Sequence, residues 1–189
     1  MIQAESSQYS LLRDLIQIRS YSGEEKEILT SIETHLHEQG VQAFRQDSNV
    51  VVHFEGSNKE KALIFDSHTD TVSADEGLWG RFAPFGPHAG QVENEKMYGL
   101  GASDMKSGVF AQMKIAEYIQ TNGMPPCDIW MTFVVEEETS GRGTNSFAQW
   151  FFSQNFRYKE VGVIIPEPTD LTNFFIGQRG NYSLRVRTE

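Results

Sequence analysis

The feature that most limits what this chain can become is the run Ile129–Val135, IWMTFVV, which carries no charge and passes directly into Glu136-Glu137-Glu138. A strand that is apolar on successive positions cannot lie with one face in water, so it must be covered on both sides. Val161–Ile165 has the same buried character, and Val50–Phe54 and Ala62–Phe65 read as short strands split by the polar turn Gly56-Ser57-Asn58-Lys59. Helical patterns lie between them. Leu11, Leu12, Leu15, Ile16 and Ile18 have amphipathic spacing. Ile28, Leu29, Ile32 and Leu36 mark the buried face of a second helix, with Ser22 and Glu25 forming the S-x-x-E pattern of a capping box and Gly40 a natural stop. Ser107–Gln120 and Asn145–Phe152 read as two more helices. Strands alternating with helices predict an α/β sheet covered on both faces.

Two stretches stand apart. Residues 67–102 are rich in Gly, Pro and aromatics with little periodicity, and a loop of that length in a compact domain usually carries function. Asn173–Ile176 and Tyr182–Arg187 read as strands, and the sequence stops at Glu189 inside the second, so a truncated chain is expected.

Charge and cysteine content remove several classes of function. The 16 Lys and Arg against 26 Asp and Glu give a net charge of −10, the wrong sign for tracking a nucleic-acid backbone. Carboxylates gathered in one cleft would attract divalent cations instead. Cys127 is the only cysteine, which rules out an internal disulfide or a cysteine zinc site and leaves His and carboxylates to hold any metal. The start MIQAESSQYS lacks the features of a secretory signal, and no apolar run reaches membrane-spanning length, so a cytoplasmic protein without membrane association is expected.

In open α/β sheets, ligands gather at the carboxyl ends of the strands. Polar residues stand at those places here. ALIFD leads into Ser67-His68-Thr69-Asp70-Thr71, IWMTFVV into Glu136-Glu137-Glu138, and VGVII into Pro166-Glu167-Pro168, while Asp104 lies just before a helix. Each alone has an ordinary explanation: a hydrogen-bonded loop His, a solvated acidic turn, a helix cap. Their convergence on one end of the sheet favours a metal site. His35 and His37, two apart on a helix, do not share a face and are read as structural. Two ions about 3.5–4 Å apart need a bridging carboxylate, further N and O ligands, and a free carboxylate to carry a proton from water to a leaving group. The spacing His68-Thr69-Asp70 lets Asp70 reach the far nitrogen of the His68 ring and fix its tautomer. Competing motifs fail in detail. Asp104 stands where a dinucleotide fingerprint needs Gly, Met105 where a phosphate-binding loop needs Gly, and neither G-x-S-x-G nor H-E-x-x-H occurs.

Five ordered motifs then carry a family resemblance: SHTDTV at 67–72, YGLGASDMKSG at 98–108, VVEEETSGRGT at 134–144, PEPT at 166–169 and GQRGN at 177–181. Trp79 and Pro84-Phe85 also fall where that family often has a W…PF segment. The chain resembles the zinc-dependent aminoacylase and exopeptidase family that includes acetylornithine deacetylase, succinyl-diaminopimelate desuccinylase and carboxypeptidase G. The resemblance implies a three-layer sandwich with a mixed, largely parallel sheet flanked by helices. It implies two Zn2+ ions, with Co2+ or Mn2+ as substitutes. His68 and Glu167 would bind one ion, Asp104 bridge, and Glu138 bind the second, with Glu137 the general base and Asp70 orienting His68. Glu136 replaces the family's usual Asp, and Asp104-Met105 is a candidate cis peptide.

The implied reaction is cleavage of the amide bond of an N-acyl amino acid. A di- or tripeptidase or carboxypeptidase is the alternative within the family, and an inactive binding or assembly fragment the alternative outside it. Residues 1–181 would be the N-terminal portion of the catalytic domain and 182–189 the start of a lid or dimerisation domain. Family members are longer, supply a late metal-binding His and dimerise through that domain, so the chain alone is expected to have little activity.

Overall fold

The computed structural model describes residues 9–75, 79–81, 84–170 and 172–177. The strand predicted at Tyr182–Arg187 and the domain start at 182–189 lie outside the described residues. The elements run α1 (Ser10–Gln17), α2 (Lys26–Glu38), β1 (Ala43–Gln46), β2 (Asn49–Phe54), β3 (Asn58–His68), β4 (Gln91–Glu93), β5 (Lys96–Tyr98), α3 (Lys106–Asn122), β6 (Cys127–Val134), α4 (Arg142–Ser153) and β7 (Glu160–Ile164). Five strands form one mixed sheet in the order β1-β2-β6-β3-β7. β1–β2 and β2–β6 pair antiparallel, whereas β3 pairs parallel with both β6 and β7.

The uncharged run explains the position of β6. It has a strand on each edge and packing on each face, so seven of its eight residues are buried. Alternate side chains go to opposite layers, as the two-residue period of a strand requires. Ile129, Met131 and Phe133 join Val50 and Val52 against Leu15 of α1, the Ile28–Leu36 face of α2, and Val109 and Met113 of α3. Trp130 goes the other way, with Val51 and Ile64, onto Phe147 and Phe151 of α4. The result is a three-layer α/β sandwich with the parallel pairings on the side that carries the site.

Several readings need correction. Helix α2 begins with Glu25 as its cap residue and has no side-chain capping bond, so Ser22 and Glu25 do not form a capping box. β7 is an edge strand among the described residues rather than a buried one, with Val161, Val163 and Ile164 all exposed. An apolar run reports which residues could be covered, not how many neighbours a strand has. Residues 173–176 form no strand. The long loop contains the β4–β5 hairpin, whose Asn94 and Glu95 both take the left-handed conformation (φ 49° and 62°) that suits a two-residue turn. Within the same stretch the Trp79 indole donates to the Phe85 carbonyl at 2.7 Å, joining the two ends of the W…PF segment. No helix among the described residues is long and apolar enough to cross a membrane.

At the amino end of β6, away from the site loops, Asp128 is buried and accepts from Tyr158 Oη at 2.6 Å and Gly56 N at 2.8 Å, with Lys59 Nζ at 3.4 Å. His53, stacked on Trp130 at 4.0 Å, stands 3.3 Å from the same carboxylate. Burial acts to raise the Asp128 pKa, but these donors outweigh it and hold it below the ordinary carboxylate value. A folded-state pKa below the unfolded one contributes stability that is full above the unfolded value, near pH 4, and is lost as pH falls through the folded value. Asp128→Asn should therefore flatten the fall in urea midpoint between about pH 5 and pH 3 relative to wild type.

Candidate metal centre

Sheet register brings the site together. His68 is the last residue of β3 and lies opposite Val134, the last of β6, in parallel register. The next residues of both strands therefore leave the sheet at the same level and side by side. Thr69 N and Thr69 Oγ1 both donate to the Val134 carbonyl at 2.9 Å, which ties the two exits together. β7 flanks β3 on its other side, with Phe65 opposite Ile164, so the Pro166-Glu167 turn enters from that flank.

Two glycines allow the close approaches. A side-chain carbon on Gly143, at the start of α4, would lie 2.5 Å from Val135 N, so only Gly lets α4 close over the end of β6. A carbon on Gly108 of α3 would lie 2.7 Å from the Pro166 carbonyl oxygen, which is how the Glu167 turn reaches the start of α3. Asp104 precedes that helix across a cis Asp104-Met105 peptide, the expected position. The buried Met105 sulfur stands 3.3 Å from His68 N and accepts its hydrogen.

Around His68 the geometry is asymmetric. Its ring is almost wholly buried, and Nδ1 donates to the Asp70 carbonyl at 3.0 Å. A carbonyl can only accept, so Nδ1 carries hydrogen and Nε2 faces the acids. Nε2 lies 3.1 Å from Asp104 Oδ1, 3.6 Å from Glu167 Oε1 and 3.9 Å from Glu137 Oε2. Glu138 completes a set with His68 and Asp104 in which one ligand atom from each lies within 4.8 Å of the others. The structure thus brings together all six residues read from the sequence.

Asp70 meets His68 differently from the expectation. Its carboxylate Oδ1 is 3.5 Å from Nδ1, farther than its carbonyl. The carboxylate is used elsewhere: Oδ1 accepts from Glu137 N at 3.0 Å, and Oδ2 from Glu138 N at 3.1 Å and Ser22 Oγ at 2.6 Å. Burial acts to raise the Asp70 pKa, but His68, Ser22 and the Glu137 amide together hold it low.

Burial and the crowding of charges together set the electrostatics. For His68, burial favours the neutral ring, yet the Asp70 hydrogen bond and the charges of Asp70, Glu167 and Glu137 push its pKa up to about 9. Burial and the charges of Asp104 and Glu137 push Glu167 up to about 7, against the lowering effect of His68. Glu138 is raised by burial and by Asp104 as well. One imidazole nitrogen among four carboxylates is a borderline-hard N/O donor set, suited to Zn2+, Co2+ or Mn2+, and a cation would relieve the repulsion. The donor set fits a divalent ion.

Lys106, which the sequence reading gave no role of its own within YGLGASDMKSG, is fully buried. Its Nζ donates to the carbonyls of Leu15 at 2.9 Å and Ile18 at 2.7 Å, at the carboxyl end of α1. Burial holds its pKa down to about 8. This contact fastens the Asp104 turn to α1. The other histidines have separate partners: His35 with Glu117, His37 with the Ala43 carbonyl, His53 with Asp128, and His88 beside Tyr21.

Fold and site together define an α/β chain with an acid-rich donor cluster at the carboxyl ends of parallel strands. The sequence matches the model of peptidase family M20/M25/M40 over residues 64–179, and the chain belongs to that family. It is 34% identical over 128 residues to acetylornithine deacetylase of Vibrio atlanticus, covering 68% of this chain and 31% of that protein. Among solved structures it superposes on the M20 metallo-carboxypeptidase Sso-CP2 of Sulfolobus solfataricus with TM-score 0.68 and 19% identity, covering 86% of this chain and 37% of that one. It superposes on YXEP of Bacillus subtilis, a dinuclear metal-binding M20 peptidase, with TM-score 0.58 and 15% identity, covering 84% and 42%. The chain spans less than half the length of the curated relatives it matches.

The Asp70 contacts yield a stability prediction. Asp70→Ala leaves the Glu137 and Glu138 amides and the Ser22 hydroxyl without an acceptor, and should lower unfolding free energy by about 2–4 kcal/mol in urea titrations. A change within 0.5 kcal/mol would mean that the carboxylate does not organise the acidic loop.

Proposed function

We propose that this chain forms the metal-binding part of the catalytic domain of a hydrolase that cleaves the amide bond of N-acyl amino acids. The observation that carries this reading is the convergence of His68, Asp104 and Glu138 within 4.8 Å, with Glu137 and Glu167 beside them. His68, Asp104, Glu138 and Glu167 would hold the cations, with Asp104 the residue that would be shared between them. Two ions fit the carboxylate excess, and the Bacillus subtilis neighbour is a dinuclear metal-binding peptidase. Divalent cations held there supply Lewis acidity toward a carbonyl oxygen and toward water.

The remaining work falls to the chain itself. Asp70 fixes His68 with Nδ1 protonated, so that Nε2 would be the atom offered to a cation. Asp70 also holds the Glu137 and Glu138 amides, which sets the direction of both side chains. Glu137 has a part-exposed side chain and lies 3.9 Å from His68 Nε2, farther than Asp104 or Glu167. That position suits a group that takes a proton from attacking water and delivers it to the departing amine. An acyl amino acid is the proposed substrate because the curated relatives include acetylornithine deacetylases at 34% identity and a succinyl-diaminopimelate desuccinylase at 32%.

In the full-length enzyme, Glu137→Gln should leave Zn2+ content within about 20% of wild type while lowering amide hydrolysis by a factor of about 10²–10⁴, the usual size of a general-base effect. His68→Ala should lose Zn2+ in competition with a chromophoric chelator. Equal metal loss in Glu137→Gln would make Glu137 a ligand and remove it from the proton-transfer role. Rates on acetyl, succinyl and dipeptide substrates test the acyl specificity, and a preference for the dipeptide would replace the deacylase reading with a peptidase one.

A further inference from the structure

The S-x-x-E pattern at Ser22–Glu25 does not cap α2, and both of its side chains reach the loops of the metal centre. Ser22 Oγ donates to Asp70 Oδ2 at 2.6 Å. Glu25, 5% exposed, accepts at a single oxygen, Oε1, from Glu136 N at 2.9 Å and from Gly23 N at 3.0 Å. Gly23 takes φ +90°, which folds the turn back so that its amide meets the same oxygen. The backbone on either side follows the same course. Ser20 accepts from Thr71 N at 2.9 Å and donates through Oγ to the Thr69 carbonyl at 2.8 Å, and Ser22 N donates to the Thr71 carbonyl at 3.3 Å.

Three consecutive amides at the start of the acidic loop are thereby held by two buried carboxylates. Glu25 takes Glu136 N, and Asp70 takes Glu137 N and Glu138 N. Glu136 has φ +55°, a left-handed conformation that a non-glycine residue adopts only when its surroundings require it. Glu25 lies 111 residues away in sequence and supplies part of that requirement.

We infer that residues 20–25 form a strap across the two site loops, and that Glu25 and Ser22 are positioning residues: Glu25 sets the entry of the Glu136–Glu138 loop, and Ser22 holds the Asp70 carboxylate that orders the rest. The inference rests on the proposed metal centre for its functional consequence, but its structural content can be measured without metal.

The test is amide hydrogen exchange on the full metal-free chain, followed by Co2+ titration read by visible absorption. In Glu25→Ala, exchange at Glu136 should accelerate about tenfold relative to Thr132 in β6, with smaller acceleration at Glu137 and Glu138. Glu25→Gln keeps an accepting oxygen in place and should restore wild-type exchange. Co2+ affinity should fall about 5- to 20-fold in Glu25→Ala, with an altered absorption band, and recover in Glu25→Gln. Should Glu25→Ala fail to fold, Glu25→Asp, which withdraws the oxygen while keeping the charge, is expected to show the same two losses. Glu136 exchange that rises no faster than Thr132, a Gln variant no better than Ala, or unchanged Co2+ affinity each overturns the strap. A wild-type chain that binds no Co2+ overturns the metal-centre reading instead, and the exchange data alone then decide the strap.

Discussion

The parallel register of β3 on β6 is the constraint from which the site follows. With His68 opposite Val134, the two strands end at the same level, and whatever comes next in each must share the space above them. Parallel strands are joined by long crossovers, so 66 to 68 and 132 to 134 can be neighbours only if the intervening chain packs against the sheet. It does so as α3, whose Val109, Met113 and Ala116 belong to the main core. That packing in turn delivers Asp104, at the amino end of α3, to the edge where His68 emerges. One pairing thus accounts for the positions of His68, Asp104 and the acidic loop, and β7 on the far side of β3 accounts for Glu167.

Register places the residues, and buried polar contacts aim them. A cluster of carboxylates repels itself, so the loops that carry it would spread apart unless their backbones were held. The hold comes from Asp70, whose carbonyl accepts from His68 and whose carboxylate accepts from Glu137 N and Glu138 N. An acid in this role is unexpected inside an acidic site. It works because Asp70 presents its charge to amide hydrogens and to the His68 ring, which compensates its burial and keeps it ionised. The other acids of the cluster are left free of this task because the positioning is done by a different carboxylate. Lys106 performs the corresponding task on the other side, ending α1 and fixing the Asp104 turn with the only buried ammonium among the described residues.

What could be read from the sequence was whatever depends on local pattern. The uncharged run at 129–135, the Ile28–Leu36 face and the polar residues after each strand all carry their meaning within ten residues, and each is found where the pattern put it. The strap was misread for the opposite reason. Ser22 acts on a residue 48 positions away and Glu25 on one 111 away, while the local spacing of the same two residues imitates a helix cap. β7 shows a related limit: apolar side chains say that a strand can be buried, but its neighbours are decided by the rest of the sheet. The β4–β5 hairpin was hidden because its strands are three residues each, too short to show alternation. Asp70 was found, and yet the atom that meets His68 most closely is its main-chain oxygen, which a side-chain motif cannot specify.

The same crowding that defines the centre sets its energetics. Asp104, Glu137, Glu138 and Glu167 face one imidazole, and partial burial, reinforced by their mutual repulsion, is what raises Glu138 and Glu167. The fold thus carries a local electrostatic cost that no contact within the described cluster removes, in a chain whose net charge is already −10. Like charges are tolerated in a native site when something that binds the folded state offsets them. On the proposed reading, a cation that binds only the ordered cluster would stabilise the fold by about 2.7 kcal/mol at a hundredfold excess over its dissociation constant. That is a sizeable part of the roughly 5–15 kcal/mol that holds an ordinary domain together. Ordering the acidic loop and binding the ion are then one process, because the amides held by Glu25 and Asp70 fix the geometry that the ion requires. The arrangement favours rigid loops over well-dispersed charge, which is the choice expected where the charges exist to be neutralised by a ligand.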